Sequence, residues 1–117
     1  FAARMARIEM DLMAMATTNL RVIAAAEAGA APGVESSILK VKGTQIRQAI
    51  NDLTRRAVGP WAMAFPSEGV EGTNLPHPGP DHAASAMPTY LNYRKISIYG
   101  GSNEIQRGII AKTMLGL

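Results

Sequence analysis

No cysteine occurs among the 117 residues, which excludes a disulfide framework and any thiolate metal site. A chain without cysteine is compatible with a reducing compartment, and the expected location is cytoplasmic. Aromatic residues are few, at 5%, whereas Ala and Met are plentiful, a balance that favours helix packed on helix. No apolar run of about eighteen residues is present, so no membrane span is expected. No basic segment leads into an apolar stretch at the start, which argues against a signal peptide. Phe1 is not an initiator Met and reads as the start of a fragment or a processed chain. The net charge of +3 is spread along the sequence. Nucleic-acid binders cluster basic residues on one face among stacking aromatics, so no nucleic-acid partner is expected. A chain this long supports one domain, 1–117.

What is present is mostly helical periodicity. Met5, Ile8, Leu12, Met15, Leu20 and Ile23 recur at three- to five-residue steps and predict one helix from Ala2 to Ala28 with an apolar stripe. Gly29 ends it, followed by Pro32 and Gly33. Ser36 or Ser37 starts a second helix whose inner face carries Leu39, Gly43, Ile46, Ile50, Leu53 and Ala57, and Gly59-Pro60 stops it. The short linker makes the pair antiparallel. Gly43 costs the helix about 1 kcal/mol relative to Ala, and close approach of a neighbouring helix is the expected reason for it. A helix pair of this size leaves a flank of each stripe uncovered, so the chain is expected to need partners.

Between Pro66 and Pro88 the apolar period disappears, and five of the seven prolines fall there. A loop of this length is uncommon within a compact domain and is usually functional or packed on a neighbour. His77 and His82 lie in it. With no Cys and only scattered carboxylates nearby, they read as solvent-exposed loop residues rather than a metal pair, and no metal site is expected. A short helix is predicted from Thr89 to Ile98. No nucleophile elbow, phosphate loop or Rossmann spacing occurs.

The last nineteen residues, from Tyr99-Gly-Gly-Ser-Asn-Glu-Ile-Gln-Arg to Leu117, carry the most information. Gly100 and Gly101 let the backbone take positive φ and come close to a ligand. Ser102 or Asn103 suits a helix N-cap, and Glu104 in the first turn suits the positive end of the dipole. The free N–H groups of such a helix start form an anion or carbonyl site. On these residues alone, an ordinary turn and cap remains the alternative.

This ending resembles the C-terminal signature of flavin-dependent acyl-CoA dehydrogenases, in which a glycine turn leads into a helix beginning Asn-Glu-Ile-Gln-Arg and closing near Leu-Gly-Leu. The runs Glu35-Ser-Ser-Ile-Leu-Lys-Val-Lys-Gly-Thr44 and Tyr90-Leu-Asn-Tyr-Arg-Lys95 also resemble helices of that family's C-terminal bundle. The resemblance implies an all-α antiparallel helical bundle, here incomplete. It implies α,β-dehydrogenation of an acyl-CoA thioester to the trans-2-enoyl-CoA, with FAD as cofactor. Electron-transfer flavoprotein or a similar acceptor is then a partner, and a homo- or hetero-oligomer is implied.

Residue by residue, the resemblance puts Tyr99, Gly100 and Gly101 at the substrate, with the Gly100 N–H donating to the thioester oxygen, and Ser102, Asn103 and Glu104 at FAD. The family's Gln-x-x-Gly-Gly turn, which reaches FAD phosphates in a neighbouring subunit, corresponds to Arg56-Ala-Val-Gly-Pro60 and so to Arg56 and Gly59. Many relatives carry the catalytic Glu where this chain has Gly100. No catalytic residue is therefore assigned within the chain, and the base is expected on a helix upstream of Phe1. The alternatives are a non-catalytic oligomerisation or partner subunit, and a related flavoprotein oxidase acting on acyl-CoA or a nitroalkane.

Overall fold

The computed structural model describes residues 1–31, 33–64, 76 and 78–117. Pro32, residues 66–75 of the expected 66–88 loop and His77 lie outside the described residues. The described residues are all-α, with no strand among them. Four α-helices follow one another: α1 (Ala2–Glu27), α2 (Glu35–Val58), α3 (Ala86–Asn92) and α4 (Asn103–Ile110). Short 3₁₀ turns at Gly59–Met63, Asp81–Ala83 and Tyr93–Ser97 join or extend them, and a π turn at Ala111–Leu115 continues α4. The chain divides into two compact units, Phe1–Arg47 with Lys95–Leu117, and Gln48–Arg94.

In the first unit, α1 ends as its sequence dictates. Gly29 takes φ +83°, a conformation open to a residue without Cβ, and the chain closes on itself through Ala30 N–H to Ala25 C=O and Gly29 N–H to Ala26 C=O. Helix α2 starts at Glu35, one residue before the expected serine cap. The Ser36 hydroxyl donates to the Gly33 carbonyl, and Ser37 is buried within the first turn.

The face that α1 turns inward differs from the expected stripe. Its half-buried residues are Ile8, Asp11, Met15, Thr18 and Val22, at alternating steps of three and four. Met5, Leu12, Leu20 and Ile23 are exposed. At about 100° per residue Leu20 points about 120–140° away from Ile8 and Met15, so the apolar positions do not all share one face. Polar residues complete the inward face because each has a partner: Asp11 accepts from Lys42 Nζ at 2.9 Å and Thr18 donates to the Ala14 carbonyl at 2.9 Å. Both members of the Lys42–Asp11 pair are more than a third exposed, so it contributes only about 0.2–1 kcal/mol.

Helix α2 is the best-covered element, since residues on two sides of it are sheltered. One side carries Leu39, Gly43, Ile46, Ile50 and Leu53, as expected, while Ala57 at the end of that row is exposed. The other side carries Lys40, Thr44, Gln48, Asn51 and Arg55, polar residues three and four apart. Apolar periodicity gives no sign of that second face.

In the second unit, Gly59 at φ +67° ends α2, and Pro60 opens the 3₁₀ turn that follows. The buried apolar residues here are Ala62, Ala83 and Ala86, so helix and turns meet over small side chains. Helix α3 begins at Ala86, three residues earlier than expected, because Pro88 sits in its first turn, where no intrahelical N–H bond is needed. His82 is exposed on the Asp81–Ala83 turn. Gln48 donates to the carbonyls of Tyr93 and Arg94, and Arg94 donates back to the Gln48 carbonyl. The guanidinium carbons of Arg55 and Arg94 lie 5.0 and 4.6 Å from the Tyr90 ring centre, a pair of cation–π contacts.

Two glycines separate opposite consequences. A Cβ on Gly43 would lie 3.6 Å from Met15 Sδ, an ordinary contact, so close helix approach does not require glycine there. Gly43→Ala is expected to raise stability by about 0.5–1 kcal/mol through helix propensity. Gly79 has φ +88°, and a Cβ there would press on the Trp61 ring at 2.7 Å. Gly79→Ala is expected to lower stability by roughly 1–3 kcal/mol. Chemical denaturation of both variants checks the pair, and equal shifts would refute the contrast.

Asp52 supplies a pH-dependent element. Its carboxylate accepts from Arg56 Nε at 2.7 Å and from Arg55 Nη2 at 2.9 Å. The Arg56 hydrogen bond, seconded by Arg55 against partial burial, holds the carboxyl below the usual aspartate range. A depressed folded value means that the stabilisation is complete above the ordinary aspartate range and is lost as pH falls through the lower folded value. Asp52→Asn is expected to remove that part of the acid destabilisation and to cost about 0.5–1 kcal/mol at neutral pH. Melts across the acid range read both.

Candidate functional site

The tail leaves its 3₁₀ turn with the Tyr99 N–H donating to the Lys95 carbonyl at 3.3 Å. Gly100 and Gly101 follow at φ +67° and +82°, two left-handed residues in succession. A Cβ on Gly100 would meet no atom within 4 Å, whereas one on Gly101 would run into the Gln106 side chain. Glycine at 100 therefore answers to conformation alone, and glycine at 101 to conformation and space.

Of the two capping candidates, Ser102 is the N-cap. Its extended backbone (φ −62°, ψ 155°) precedes the helix, and its Oγ accepts from the Ile105 N–H at 3.3 Å. Its carbonyl accepts from the Gln106 N–H at 3.0 Å. The Glu104 side chain turns back on the same helix start, where its own backbone N–H, and then the Ser102 hydroxyl, donate to the carboxylate and lower its pKa. Arg107 stands 3.8 Å away, too far for more than a weak solvated pairing.

Asn103, the first residue of α4, is buried, and its carboxamide is spent inside the fold. Its Oδ1 accepts from Lys40 Nζ at 2.9 Å, and its Nδ2 donates to Thr44 Oγ1 at 2.9 Å. The Thr44 hydroxyl in turn donates to the Val41 carbonyl at 2.8 Å. Lys40 and Thr44, one turn apart on α2, thus grip both ends of one amide. Neither was singled out by sequence reasoning. Their signal was the i, i+4 spacing of two polar residues within the Glu35–Thr44 run.

The structure brings Tyr99, Gly100, Gly101, Ser102, Asn103 and Glu104 together as one continuous turn and helix start. Tyr99, both glycines and Glu104 are exposed, Ser102 is half-buried, and only Asn103 faces inward. Arg56 and Gly59 belong to the other compact unit, where Arg56 is engaged with Asp52. The exposed turn offers backbone N–H groups, the positive end of a helix dipole and one hydroxyl, a donor set suited to a carbonyl or anionic oxygen. No group of three or more His, Cys, Asp or Glu that would hold a metal is found among the described residues. No helix is long and apolar enough to cross a membrane among the same residues.

Ser102→Ala is expected to lower stability by about 0.5–2 kcal/mol through loss of the cap. Since Glu104 has a depressed folded pKa, its contribution is complete above the ordinary glutamate range and disappears as pH falls through the lower folded value. The penalty in Ser102→Ala should therefore shrink in acid. Denaturation at neutral and acid pH reads this, and a penalty independent of pH would separate the cap from the carboxylate.

Neither the comparison with curated proteins nor that with solved structures returned a match. A family description, "Acyl-CoA dehydrogenase, C-terminal domain", matches residues 1–115, which takes in both long helices and the whole glycine turn. The all-α architecture agrees with it. With nearly the full length matched, the chain belongs to the acyl-CoA dehydrogenase C-terminal domain family.

Proposed function

We propose that the chain is the C-terminal part of a flavin-dependent acyl-CoA dehydrogenase, which converts an acyl-CoA thioester to the trans-2-enoyl-CoA. The observation that carries this reading is the Gly100–Gly101–Ser102 turn, an exposed backbone bend at positive φ that opens a capped helix in a chain of this family. The donor set fits FAD and a thioester: small residues allow close approach, and the helix start is electropositive. FAD, when bound, supplies the acceptor for the hydride that leaves the β-carbon.

The chain's own residues supply geometry and electrostatics. The Gly100 N–H donates to the thioester oxygen, which gains negative charge as the α-proton departs. Tyr99 and Gly101 border the same substrate. The Ser102 hydroxyl and Glu104 meet the cofactor from the helix start, and Asn103 contributes through its backbone, its side chain being held by Lys40 and Thr44. Arg56 and Gly59 approach the cofactor phosphates of a neighbouring subunit, although Pro60 removes an N–H donor from that turn. The base that takes the α-proton is a carboxylate upstream of Phe1. Electron-transfer flavoprotein or a similar acceptor is the proposed redox partner, and a cytoplasmic oligomer is the proposed setting. The exposed Met5, Leu12, Leu20 and Ile23 of α1 support that oligomer by offering apolar surface.

In the full-length protein, acyl-CoA is expected to bleach the flavin absorbance and yield the enoyl-CoA. Gly100→Ala keeps the N–H but forces a Cβ into positive φ, at about 1–2 kcal/mol, so turnover should fall about ten-fold or more. Absence of bleaching across acyl-chain lengths would overturn the dehydrogenase reading in favour of a non-catalytic partner subunit.

A further inference from the structure

Three features fix the start of α4: the Ser102 cap, the Glu104 carboxylate, and the buried Asn103 amide between Lys40 and Thr44. The first two are local and would form in an isolated helix. The third is the long-range tie, spanning about sixty residues of sequence. A helix N-terminus carries positive partial charge, which disfavours an ammonium beside it, while the Glu104 carboxylate at the same helix start attracts it. The ammonium is half-buried against the first residue of α4, where it adds to the positive field of the exposed turn.

We propose that Lys40 is a positioning residue of the Gly100–Gly101–Ser102 turn: acting through the Asn103 carboxamide, with Thr44 as the second grip, it holds the helix start and its N–H groups in register for an electron-rich oxygen. This rests on the acyl-CoA dehydrogenase reading for the identity of that oxygen, which is the thioester carbonyl. The orientation itself does not depend on it. Asn103 then acts inside the protein through its side chain, and the ligand meets only what that side chain orients.

The test uses the full-length protein and three variants. Lys40→Met removes the grip and the charge, Lys40→Arg keeps the charge and a donor, and Thr44→Val removes the second grip with little change in shape. Loss of a hydrogen bond from a charged donor corresponds to about ten-fold or more, and amide hydrogen exchange at residues 101–106 should accelerate by that factor in Lys40→Met. Lys40→Arg should recover most of the protection, and Thr44→Val should fall between. In turnover with acyl-CoA, Lys40→Met should lose kcat by about ten-fold or more with a smaller change in KM, again recovered by Arg.

Unchanged exchange at 101–106 in Lys40→Met would overturn the proposal, as would an accelerated exchange that Arg does not relieve. A fall in melting temperature with kcat preserved would reduce Lys40 to a structural tie and overturn it too. If the wild-type protein gives no turnover with any acyl-CoA, the dehydrogenase reading fails. The exchange measurements then decide the positioning role alone.

Discussion

The structure of the tail depends on one buried amide. Asn103 is the first residue of α4, and a carboxamide removed from water at that point destabilises the fold by roughly 1–3 kcal/mol for each group left unpaired. Lys40 and Thr44 satisfy it from α2, so the helix start lies where those two side chains reach. The residues on either side of it, the glycine pair, the Ser102 cap and Glu104, are carried on the helix start so placed. A surface helix of eight residues is marginal by itself in water. This one is specified by a side chain it buries rather than by an apolar face, since Ile105 and Ile109 on it are exposed.

The glycine pair sets the chemistry open to that helix start. Under the proposed reading, Gly100 offers a backbone donor and brings no carboxylate of its own. The lack of a side chain there suits the backbone. Gly100 sits at φ +67° with open space where a Cβ would go, so what disfavours a side chain is torsion and not crowding. A backbone donor needs no side chain, and an exposed left-handed residue presents its N–H without one shielding it.

Local signals were legible in the sequence, and buried polarity was not. Gly29, Gly59 and Ser102 act through φ or capping, properties of single residues and their neighbours, and each ends or begins a helix as read. The apolar side of α2 was legible because Leu39, Gly43, Ile46, Ile50 and Leu53 keep the helical period. Its other side was invisible to the same reasoning: Lys40, Thr44, Gln48, Asn51 and Arg55 look like a solvated face until their partners are known. Four of them find those partners far along the chain: Lys40 and Thr44 in Asn103, Gln48 in the carbonyls of Tyr93 and Arg94, and Arg55 in the Tyr90 ring. The α1 stripe failed for a related reason. Asp11 and Thr18 occupy its inward face because each is hydrogen-bonded, while apolar Leu20 points away. Pro88 was read as the last residue of the loop, although in a first turn proline is a starter.

The two long helices therefore rest on different kinds of support. Helix α2 is sheltered on two sides and gathers hydrogen bonds from several later segments, which makes it the scaffold on which the tail is set. Helix α1 spans twenty-six residues without one buried side chain. Its own backbone ladder, the Asp11–Lys42 pair and a half-buried row are what hold it, and apolar residues on its remaining surface stay in water. Opening free energy follows buried contact, so α1 belongs to the low-stability end of the fold and α2 to the high end. Any surface that covers Met5, Leu12, Leu20 and Ile23 adds stability to α1 in proportion to the apolar area removed from water, about 25 cal/mol per Å². Such cover leaves the Asn103 tie untouched, because that tie is made from α2 and α4 alone.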